Sequence, residues 1–567
     1  MKSMHLGVYM EKHVTDSFAP VRTTKRRNAA FLAGAVLAVC VLGAAPALAD
    51  DAMVTKAPVY AIAPATATCS SAYDFFLSKC PLSWYGVTFY GTVDMGVSYM
   101  TNGTPFDRNY PQGVSYIAAN GGTGGTGRIS GFVQAPNALS QSNVGVKIIE
   151  PVGGGWSFIA NGELAFDPYS LLLANGPQSL QVGINTAQNQ EAIPSDSSRW
   201  GWLNTNTYVG FSQPVYGTLT FGRQNVLETD GVIAYDPMGG AYGFSLVGYS
   251  GKSAGAGDTE DARWTTAFKY RENIGDFRLS AMVQPVGLFG GSGGYSSYNP
   301  NNGAVSGGIG GDIKHWVPGV ISLDVIGTWE KDAVNVTLMY PGQLTPGGWP
   351  ATFPADAALK ATLSNQTAFM ALAKWTFGST SAAPPIAVKG AAPPPPTPLI
   401  TLYAGYEWIQ FSNPSDKQTA FRDDGFLYVN PNTTNAGTVT GANGTSINNN
   451  AFNAACGSGT GCTNEIFQVM WTGVKYGITN DLSLAGGYYH YIQSTYVNGV
   501  NCSPGAAAAN SRCAGWYDTY SLLLDWHFLP KWDWYIGTMY SAAFGGIANG
   551  DIARTNLATT TGVRFRF

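Results

Sequence analysis

The sequence predicts an all-β fold, a 16-stranded antiparallel transmembrane β-barrel with long extracellular loops, and three observations lead to it. Apolar and polar residues alternate through most of the chain. The connections between the alternating segments are short and long in turn. Charged residues make up only 12% of the 567 residues, about half of the roughly 25% that is usual in globular proteins. Disordered chains are rich in charge and poor in aromatics, so a chain with 13% aromatic residues is expected to fold.

The segment 87–99 shows the alternation clearly. Its polar parity includes Asp94, and its apolar parity carries Val87, Phe89, Val93, Met95, Val97 and Tyr99. Successive side chains of a strand point to opposite faces, so the segment predicts a strand with one apolar and one polar face. By the same parity, Lys147 and Glu163 fall on the polar faces of their segments.

Sixteen segments of this kind follow one another, centred near residues 92, 146, 161, 209, 220, 267, 281, 309, 325, 372, 405, 471, 488, 523, 537 and 562. An even number of such strands can close into a barrel. In lipid every backbone group must be paired, and closure removes the unpaired edges. At sixteen strands the interior is wide enough for a water channel. The apolar parity then faces lipid and the polar parity faces the interior.

The connections support a membrane barrel rather than a soluble sandwich, because short turns at one end and long loops at the other are typical of outer-membrane barrels. Short connections fall at 151–155, 213–217, 272–276, 315–319, 477–481 and 528–532. The Pro-rich stretch 381–398 stands where a short turn is due, and its prolines predict an extended spacer. The longest connection, 412–464, lies on the long-loop side.

The chain divides into three predicted parts. Residues 1–49 read as a secretory signal peptide, with Lys25, Arg26 and Arg27 before an apolar run and a small-residue cleavage site at its end. Residues 50–82 are a periplasmic N-terminal lead-in, and residues 83–567 form the barrel. Removal of the signal peptide takes six basic and two acidic residues and leaves a net charge of −8. That charge argues against nucleic acid as a partner.

Six cysteines remain after cleavage and fall into three close pairs. An even number in an exported chain predicts local disulfides. The wide spacings and the absence of neighbouring histidines argue against a metal site. The predicted pairs are Cys69 with Cys80, Cys456 with Cys462, and Cys502 with Cys513.

Four stretches resemble the general bacterial porins of the Gram-negative outer membrane, most of all those of the alpha-proteobacteria. WYGVTFYGTVDMGVSY (84–99) is similar to the first strand of that family, and 207–237 is similar to its fourth and fifth strands running into the third loop. The segment 69–80 resembles the disulfide-flanked lead-in of the subgroup. The aromatic end TTTGVRFRF, with Val563, Phe565 and Phe567, resembles the signal that the outer-membrane assembly machinery reads.

The resemblance implies a homotrimeric channel in the cell outer membrane, surrounded by lipid and lipopolysaccharide. It also implies an inward-folded third loop whose acids face cations on the wall. The loop acids here are Glu228, Asp230 and Asp236, and Arg223 matches the wall arginine of the family. Strict parity would turn Arg223 outward, so its inward direction requires a β-bulge at Gly222.

Parity places further charges on the interior face. They are Asp94, Arg263, Lys269 and Arg278 on the wall, with Arg564 and Arg566 near the periplasmic rim. Opposed charges across a narrow aqueous gap create a transverse field and bias ion choice. The predicted function is therefore passive diffusion of ions and small hydrophilic solutes. No enzyme activity, cofactor or metal is expected.

Two alternatives stay open from the sequence. One is a substrate-selective channel for a sugar, a phosphate or a dicarboxylate, which an aromatic or cationic ladder along the pore would favour. The other is a surface receptor or adhesin barrel that uses the long loop 412–464. An enzyme would need a histidine within reach of a serine or an aspartate on one rim, and only His315, His490 and His527 remain after cleavage.

Overall fold

The computed structural model describes residues 69–78, 80–101, 130–174, 203–250, 262–285, 303–314, 316–339, 359–378, 399–412, 438–440, 446–448, 465–495, 514–545 and 555–567. Among these residues, no helix is both long enough and apolar enough to span a membrane. The described helices are α1 (Ala72–Leu77), α2 (Leu227–Tyr235) and α3 (Leu246–Ser250).

The described strands, in chain order, are β1 (Leu82–Trp84), β2 (Val87–Met100), β3 (Gly131–Pro136), β4 (Asn143–Gly153), β5 (Trp156–Ala165), β6 (Thr207–Gln213), β7 (Gly217–Asn225), β8 (Arg263–Ile274), β9 (Phe277–Gln284), β10 (Ala304–Ile313), β11 (Val320–Met339), β12 (Leu359–Phe377), β13 (Leu399–Ser412), β14 (Thr438–Thr440), β15 (Ser446–Asn448), β16 (Glu465–Gly477), β17 (Leu482–Gln493), β18 (Gly515–Leu529), β19 (Trp532–Gly545) and β20 (Thr555–Arg566). All pairings between them are antiparallel.

The strands form a closed barrel with sixteen positions. Each strand pairs with its neighbours along the chain, and β20 closes the ring by pairing with β2. The strands β3 and β4 share the second position, because β3 pairs with the upper half of β2 and β4 with its lower half. The separate hairpin of β14 and β15 lies in the longest loop. All sixteen predicted segments are strands of this barrel, so the predicted fold class is confirmed.

The two ends of the chain meet at one rim of the barrel. The last residue, Phe567, exchanges backbone hydrogen bonds of 2.9 and 3.0 Å with Gly91 of β2. Beyond that point the edge of β2 is covered by β1, which pairs with residues 87–89. The short turns after β4, β6, β8, β10, β16 and β18 lie at this same rim, as the rhythm of the connections predicts.

Burial in this protein is inverted relative to a soluble domain. Large apolar side chains such as Phe211 on β6 and Leu219 and Phe221 on β7 are exposed on the outer surface. Thr218 and Thr220, which alternate with Leu219 and Phe221, are buried on the inner surface. A continuous apolar outer surface is stable in contact with lipid, and a polar interior suits water. The strand parity deduced from the sequence is thereby observed in β7.

The Gly-rich strand β10 has a packing reason for its composition. A Cβ atom at Gly310 would lie 1.7 Å from Oδ1 of Asp324 on the next strand. The Arg278 guanidinium also donates to the carbonyl oxygen of Gly311, at 3.3 Å. Glycine therefore leaves the space in which an interior arginine and aspartate meet across β10.

Of the predicted disulfides, the bond between Cys69 and Cys80 is present and confirms the first pair. The other four cysteines, the signal peptide, His315 and the Pro-rich stretch 381–398 lie outside the described residues. Most of the loop 412–464 does so as well. The division into signal peptide, lead-in and barrel stays a prediction.

Candidate functional site

The segment 226–250, called the inner loop below, follows the fifth barrel position and lies inside the barrel. It contains α2, which packs against the inner face of β9 to β13. Eight of the nine residues of α2 are buried. A helix of a surface loop would instead keep one face in solvent. The expected inward fold of the third loop is confirmed by this placement.

An ion pair holds the start of the inner loop to the wall. The carboxylate of Asp230 lies 2.5 Å from Nζ of Lys269 on β8 and also contacts the guanidinium of Arg271. Lys269 additionally donates to the carbonyl oxygen of Asn225, at 2.6 Å. Lys269 and Arg271 share a parity on β8, so a single carboxylate reaches both of them.

Tyr235 connects the end of α2 to a charged group on the wall. Its hydroxyl contacts the carboxylate of Asp324 and accepts a hydrogen bond of 3.2 Å from Arg278. The Arg278 guanidinium in turn pairs with Asp324 at 3.0 Å and contacts Asp312. The indole of Trp471 donates to the carbonyl oxygen of Tyr235, at 3.0 Å.

Asp236 fixes the middle of the inner loop. Its carboxylate accepts a hydrogen bond of 2.6 Å from the Tyr489 hydroxyl and one of 2.7 Å from the backbone nitrogen of Gly240. Burial raises the pKa of the Asp236 carboxyl, and these hydrogen bonds oppose that rise. The next residue, Pro237, packs against Gly473. A Cβ atom added at Gly473 would lie 2.5 Å from Cγ of Pro237. Glycine on the wall therefore allows the loop to lie close to the sheet.

The far part of the inner loop contacts an inward bend of the second barrel position, residues 137–142. The backbone nitrogen of Gly243 donates to the carbonyl oxygen of Ala138, at 2.8 Å. The Tyr242 hydroxyl donates to Oε1 of Gln141, at 2.7 Å. The loop is thus held to the wall at its start, middle and far part.

Asp94, expected on the pore wall, holds this bend. Its carboxylate accepts hydrogen bonds of 2.7 Å from the backbone nitrogens of Leu139 and Ser140, and one of 2.6 Å from the Tyr535 hydroxyl. The residue is 0% exposed. Parity correctly turned Asp94 inward, but the bend that covers it cannot be read from alternation.

The wall arginine Arg223 lies opposite a β-bulge of β8, where it faces both Thr265 and Thr266, while β7 itself pairs regularly with β6. The register between β7 and β8 shifts between Gly222 and Gln224, and Gly222 has a φ of +141°. Arg223 is 5% exposed, and its Nε donates to the carbonyl oxygen of Asn204, at 3.0 Å. The guanidinium therefore supports the loop that precedes β6.

The same bulge changes the parity of β8 at its upper end. The Trp264 indole faces the interior and donates to Oε1 of Glu330, at 2.7 Å. Arg263, beside it, is half-buried and pairs in register with Asn225 at the end of β7. The alternation pattern places Arg263 on the wall because this residue shares the parity of Lys269 on a regular strand. The bulge interrupts that regular face between the two residues.

The three predicted loop acids thus all turn to the wall. Glu228 is 2% exposed, Asp230 is 6% exposed and Asp236 is 2% exposed. Glu228 accepts a hydrogen bond from the Ser306 hydroxyl, at 3.5 Å. The structure brings Asp230 and Lys269 together in direct contact rather than across a gap. It places Arg278 in a separate group beneath Tyr235.

A polar opening of about 500 Å³ lies between the start of the inner loop and the wall formed by β2 and β4 to β8. Its charged lining residues are Lys147, Glu163, Asp230, Lys269 and Arg271, and its aromatic ones are Tyr90 and Tyr208. The Tyr90 hydroxyl, which has one proton to donate, lies 2.9 Å from a carboxylate oxygen of Glu163 and 2.8 Å from the amide oxygen of Asn161. Sequence reasoning missed Arg271 as a site residue, although it has the parity of Lys269.

A second charged group lies at the rim where the chain ends meet. Arg564 pairs with Asp533 at 2.6 Å and with Asp525 at 3.7 Å, and Arg566 pairs with Asp533 at 3.2 Å. The His527 imidazole also contacts Asp533. Asp525, His527 and Asp533 are close enough to one another to suggest a metal site. Their carboxylates already face two arginines, so the arrangement does not fit a cation.

His490 lies on the outer face of β17. Its Nδ1 is 2.7 Å from the carboxylate of Asp518, which also accepts a hydrogen bond of 2.8 Å from the Tyr488 hydroxyl. The neighbouring residues Tyr489 and Tyr491 are fully buried in the interior, so Tyr488 and His490 point outward. A histidine placed there does not face the opening.

A family model for Gram-negative porins matches residues 35–384, which is well over half of the chain. The chain belongs to the Gram-negative porins. This porin is accordingly a channel protein of the outer membrane. No curated protein matches its sequence.

Several solved structures are similar to this one. The anion-selective porin from Comamonas acidovorans is similar with a TM-score of 0.47 and 13% identity, over 85% of this chain and 99% of that one. OmpT of Vibrio cholerae has a TM-score of 0.43 and 11% identity, over 86% and 99%. The outer-membrane channel DcaP of Acinetobacter baumannii has a TM-score of 0.41 and 11% identity, over 86% and 99%.

Proposed function

We propose that this porin is a passive diffusion channel for ions and small hydrophilic solutes and is not an enzyme, and that the polar opening beside the inner loop is its narrowest part. The observation that carries the proposal is the lining of that opening. Hydroxyl, amide and charged groups from β2, β4 to β8 and the inner loop surround it. Such a lining replaces part of the hydration of a polar solute and offers little to an apolar one.

The lining favours anions weakly. Three cations, Lys147, Lys269 and Arg271, face the opening with two acids, Glu163 and Asp230. Asp230 is paired with Lys269 and Arg271, and the lining as a whole carries one more basic than acidic residue. Charge at a narrow aqueous passage biases the local ion concentration. The proposed constriction therefore consists of Asp230, Lys269, Arg271 and Lys147.

The other site residues predicted from the sequence take supporting roles in this proposal. Glu228 and Asp236 hold the inner loop, Arg223 and Arg278 hold neighbouring backbone and side chains, and Arg263 stands at the outer end of β8. Arg564 and Arg566 lie at the periplasmic exit. We also propose that the channel is a homotrimer in lipid and lipopolysaccharide, as the family resemblance implies.

Conductance in planar bilayers tests the proposal. We expect stepwise conductance with a weak anion preference in a salt gradient. Lys147→Ala should shift the reversal potential toward cations, because it removes one of the three cations that line the opening. Lys314→Ala is the matched control, since Lys314 pairs with Asp276 at the exposed rim. Folded protein that gives no conductance steps would refute the channel.

A substrate-selective channel for sugars is the second candidate, because Tyr90 and Tyr208 stand beside hydrogen-bonding groups in the opening. Aromatic faces with nearby polar groups suit sugar rings. Concentration-dependent block of the ion current by a disaccharide would favour this candidate. A linear dependence of the current on salt, without block by sugar, would favour general diffusion.

A further inference from the structure

The residues between Cys69 and Cys80, called the disulfide loop below, form a compact unit at the periplasmic rim. The disulfide joins two Cα atoms 5.0 Å apart and encloses the helix α1. Ser71 is the N-cap of α1, because its hydroxyl accepts a hydrogen bond of 3.1 Å from the backbone nitrogen of Asp74. A six-residue helix is marginal by itself, so the cap and the disulfide account for its presence here.

The disulfide loop packs on the aromatic end of the chain. The ring of Phe75 lies 5.7 Å from the ring of Phe565 and 5.5 Å from that of Phe567, both edge to face. The ring of Phe76 lies 5.5 Å from Phe565. Edge-to-face pairs at these distances stabilise beyond the burial of area alone. Two of the three predicted recognition residues of the C-terminal strand are therefore covered from within the protein.

The turn between β18 and β19 holds the disulfide loop in this position. Nζ of Lys531 donates to the carbonyl oxygens of Phe75 and Cys80, both at 2.8 Å, and lies 4.5 Å from the centre of the Phe75 ring. The indole of Trp532 donates to the carbonyl oxygen of Phe76, at 3.0 Å. Lys531 and Trp532 thus donate hydrogen bonds to backbone carbonyl oxygens near the end of α1.

The disulfide loop and its docking site on β18 to β20 lie at opposite ends of the chain and meet in the closed barrel. The disulfide loop directly precedes β1 and β2, whereas its aromatic partners lie on β20, at the other end of the chain. These ends come together when β2 pairs with β20 and Gly91 bonds to Phe567. Before closure, the rings of Phe565 and Phe567 are open to another partner.

We propose that the disulfide loop is the internal partner that replaces the assembly factor on the C-terminal strand when the barrel closes. An assembly factor that recognises the aromatic side chains of this strand needs the same ring surfaces that the disulfide loop covers. Binding of the factor and docking of the disulfide loop therefore exclude one another. Docking of Phe75 then favours release of the finished porin. The inference rests on the proposed recognition of Val563, Phe565 and Phe567 by the assembly machinery.

The test follows full-length protein during assembly into proteoliposomes that contain the purified outer-membrane assembly machinery. Phe75→Ala removes the ring that contacts both C-terminal phenylalanines. Tyr73→Ala is the matched control, because Tyr73 is on the same helix and 76% exposed. Site-specific cross-linking from residue 563 to the machinery measures how long the chain stays bound. Protease protection measures barrel formation, and conductance measures the channel.

We expect Phe75→Ala to form barrels that conduct normally but to stay cross-linked roughly fivefold longer than the wild type, in line with the loss of an aromatic pair. Tyr73→Ala should behave as the wild type. Release of Phe75→Ala at the wild-type rate overturns the inference, even if that variant unfolds at a lower temperature. If Phe75→Ala forms no barrel, Lys531→Met, which loosens the loop without removing a ring, decides by the same readout. No cross-link in the wild type would refute the recognition itself, and conductance tests the channel separately.

Discussion

Replacing Asp230 by Asn tests both the anchoring of the inner loop and the position of the narrowest part of the pore. The substitution keeps the shape of the side chain but removes the charge that pairs with Lys269 and Arg271. Removing one partner of a buried ion pair typically costs about 3–5 kcal/mol, because the other charge stays buried without compensation. We therefore expect a clear fall in the unfolding temperature of the barrel.

The same substitution changes the charge at the opening. Coulomb's law gives about 0.5 kcal/mol for a monovalent ion roughly 8 Å from one unit charge in water. Anion entry should then rise about twofold and cation entry should fall about twofold. The anion-to-cation permeability ratio, measured from the reversal potential in a salt gradient, should accordingly increase about fourfold.

Asp236→Asn is the matched control for this experiment. Asp236 is an equally buried acid of the inner loop, but its partners are Tyr489 and Gly240, away from the opening. We expect this variant to lose stability and to keep the wild-type reversal potential. If Asp230→Asn is folded and its reversal potential is unchanged, ions do not pass the opening beside Asp230, and the proposed constriction is wrong.

Two further predictions concern single residues of the interior. Burial raises the pKa of Glu228 above that of an exposed glutamate. The folded protein therefore favours the protonated form, and its stability falls as the pH rises above about 4.3 toward the folded pKa. Glu228→Gln should raise the unfolding temperature at pH 8 and change it little at pH 4, and an equal change at both pH values would contradict this. Gly310→Ala should destabilise the barrel by at least about 1–3 kcal/mol, because the added Cβ would meet Asp324. Gly307→Ala is the control and should be tolerated, since nothing lies within 4 Å of a Cβ added there. Equal unfolding temperatures for the two variants would contradict the packing argument.

The sequence by itself determined the strands of this protein. A period of two sorts the residues of a strand onto two faces without any knowledge of its neighbours, so all sixteen segments could be found from one chain. The turn rhythm followed from the same pattern. The bond between Cys69 and Cys80 could be expected because the two residues are close in sequence. The inward fold of the third loop came from a family resemblance rather than from alternation.

Only the tertiary structure decided what the interior charges do. Alternation turns Asp94, Lys269 and Arg278 inward, but it cannot show which inward groups meet one another. The partners of Asp94 come from a bend more than forty residues away, and Arg278 meets Tyr235 of the inner loop. A bulge of β8 opposite Arg223 also shifts the faces of that strand. These contacts join residues distant in sequence, so they form only when the strands and the inner loop come together in the folded protein.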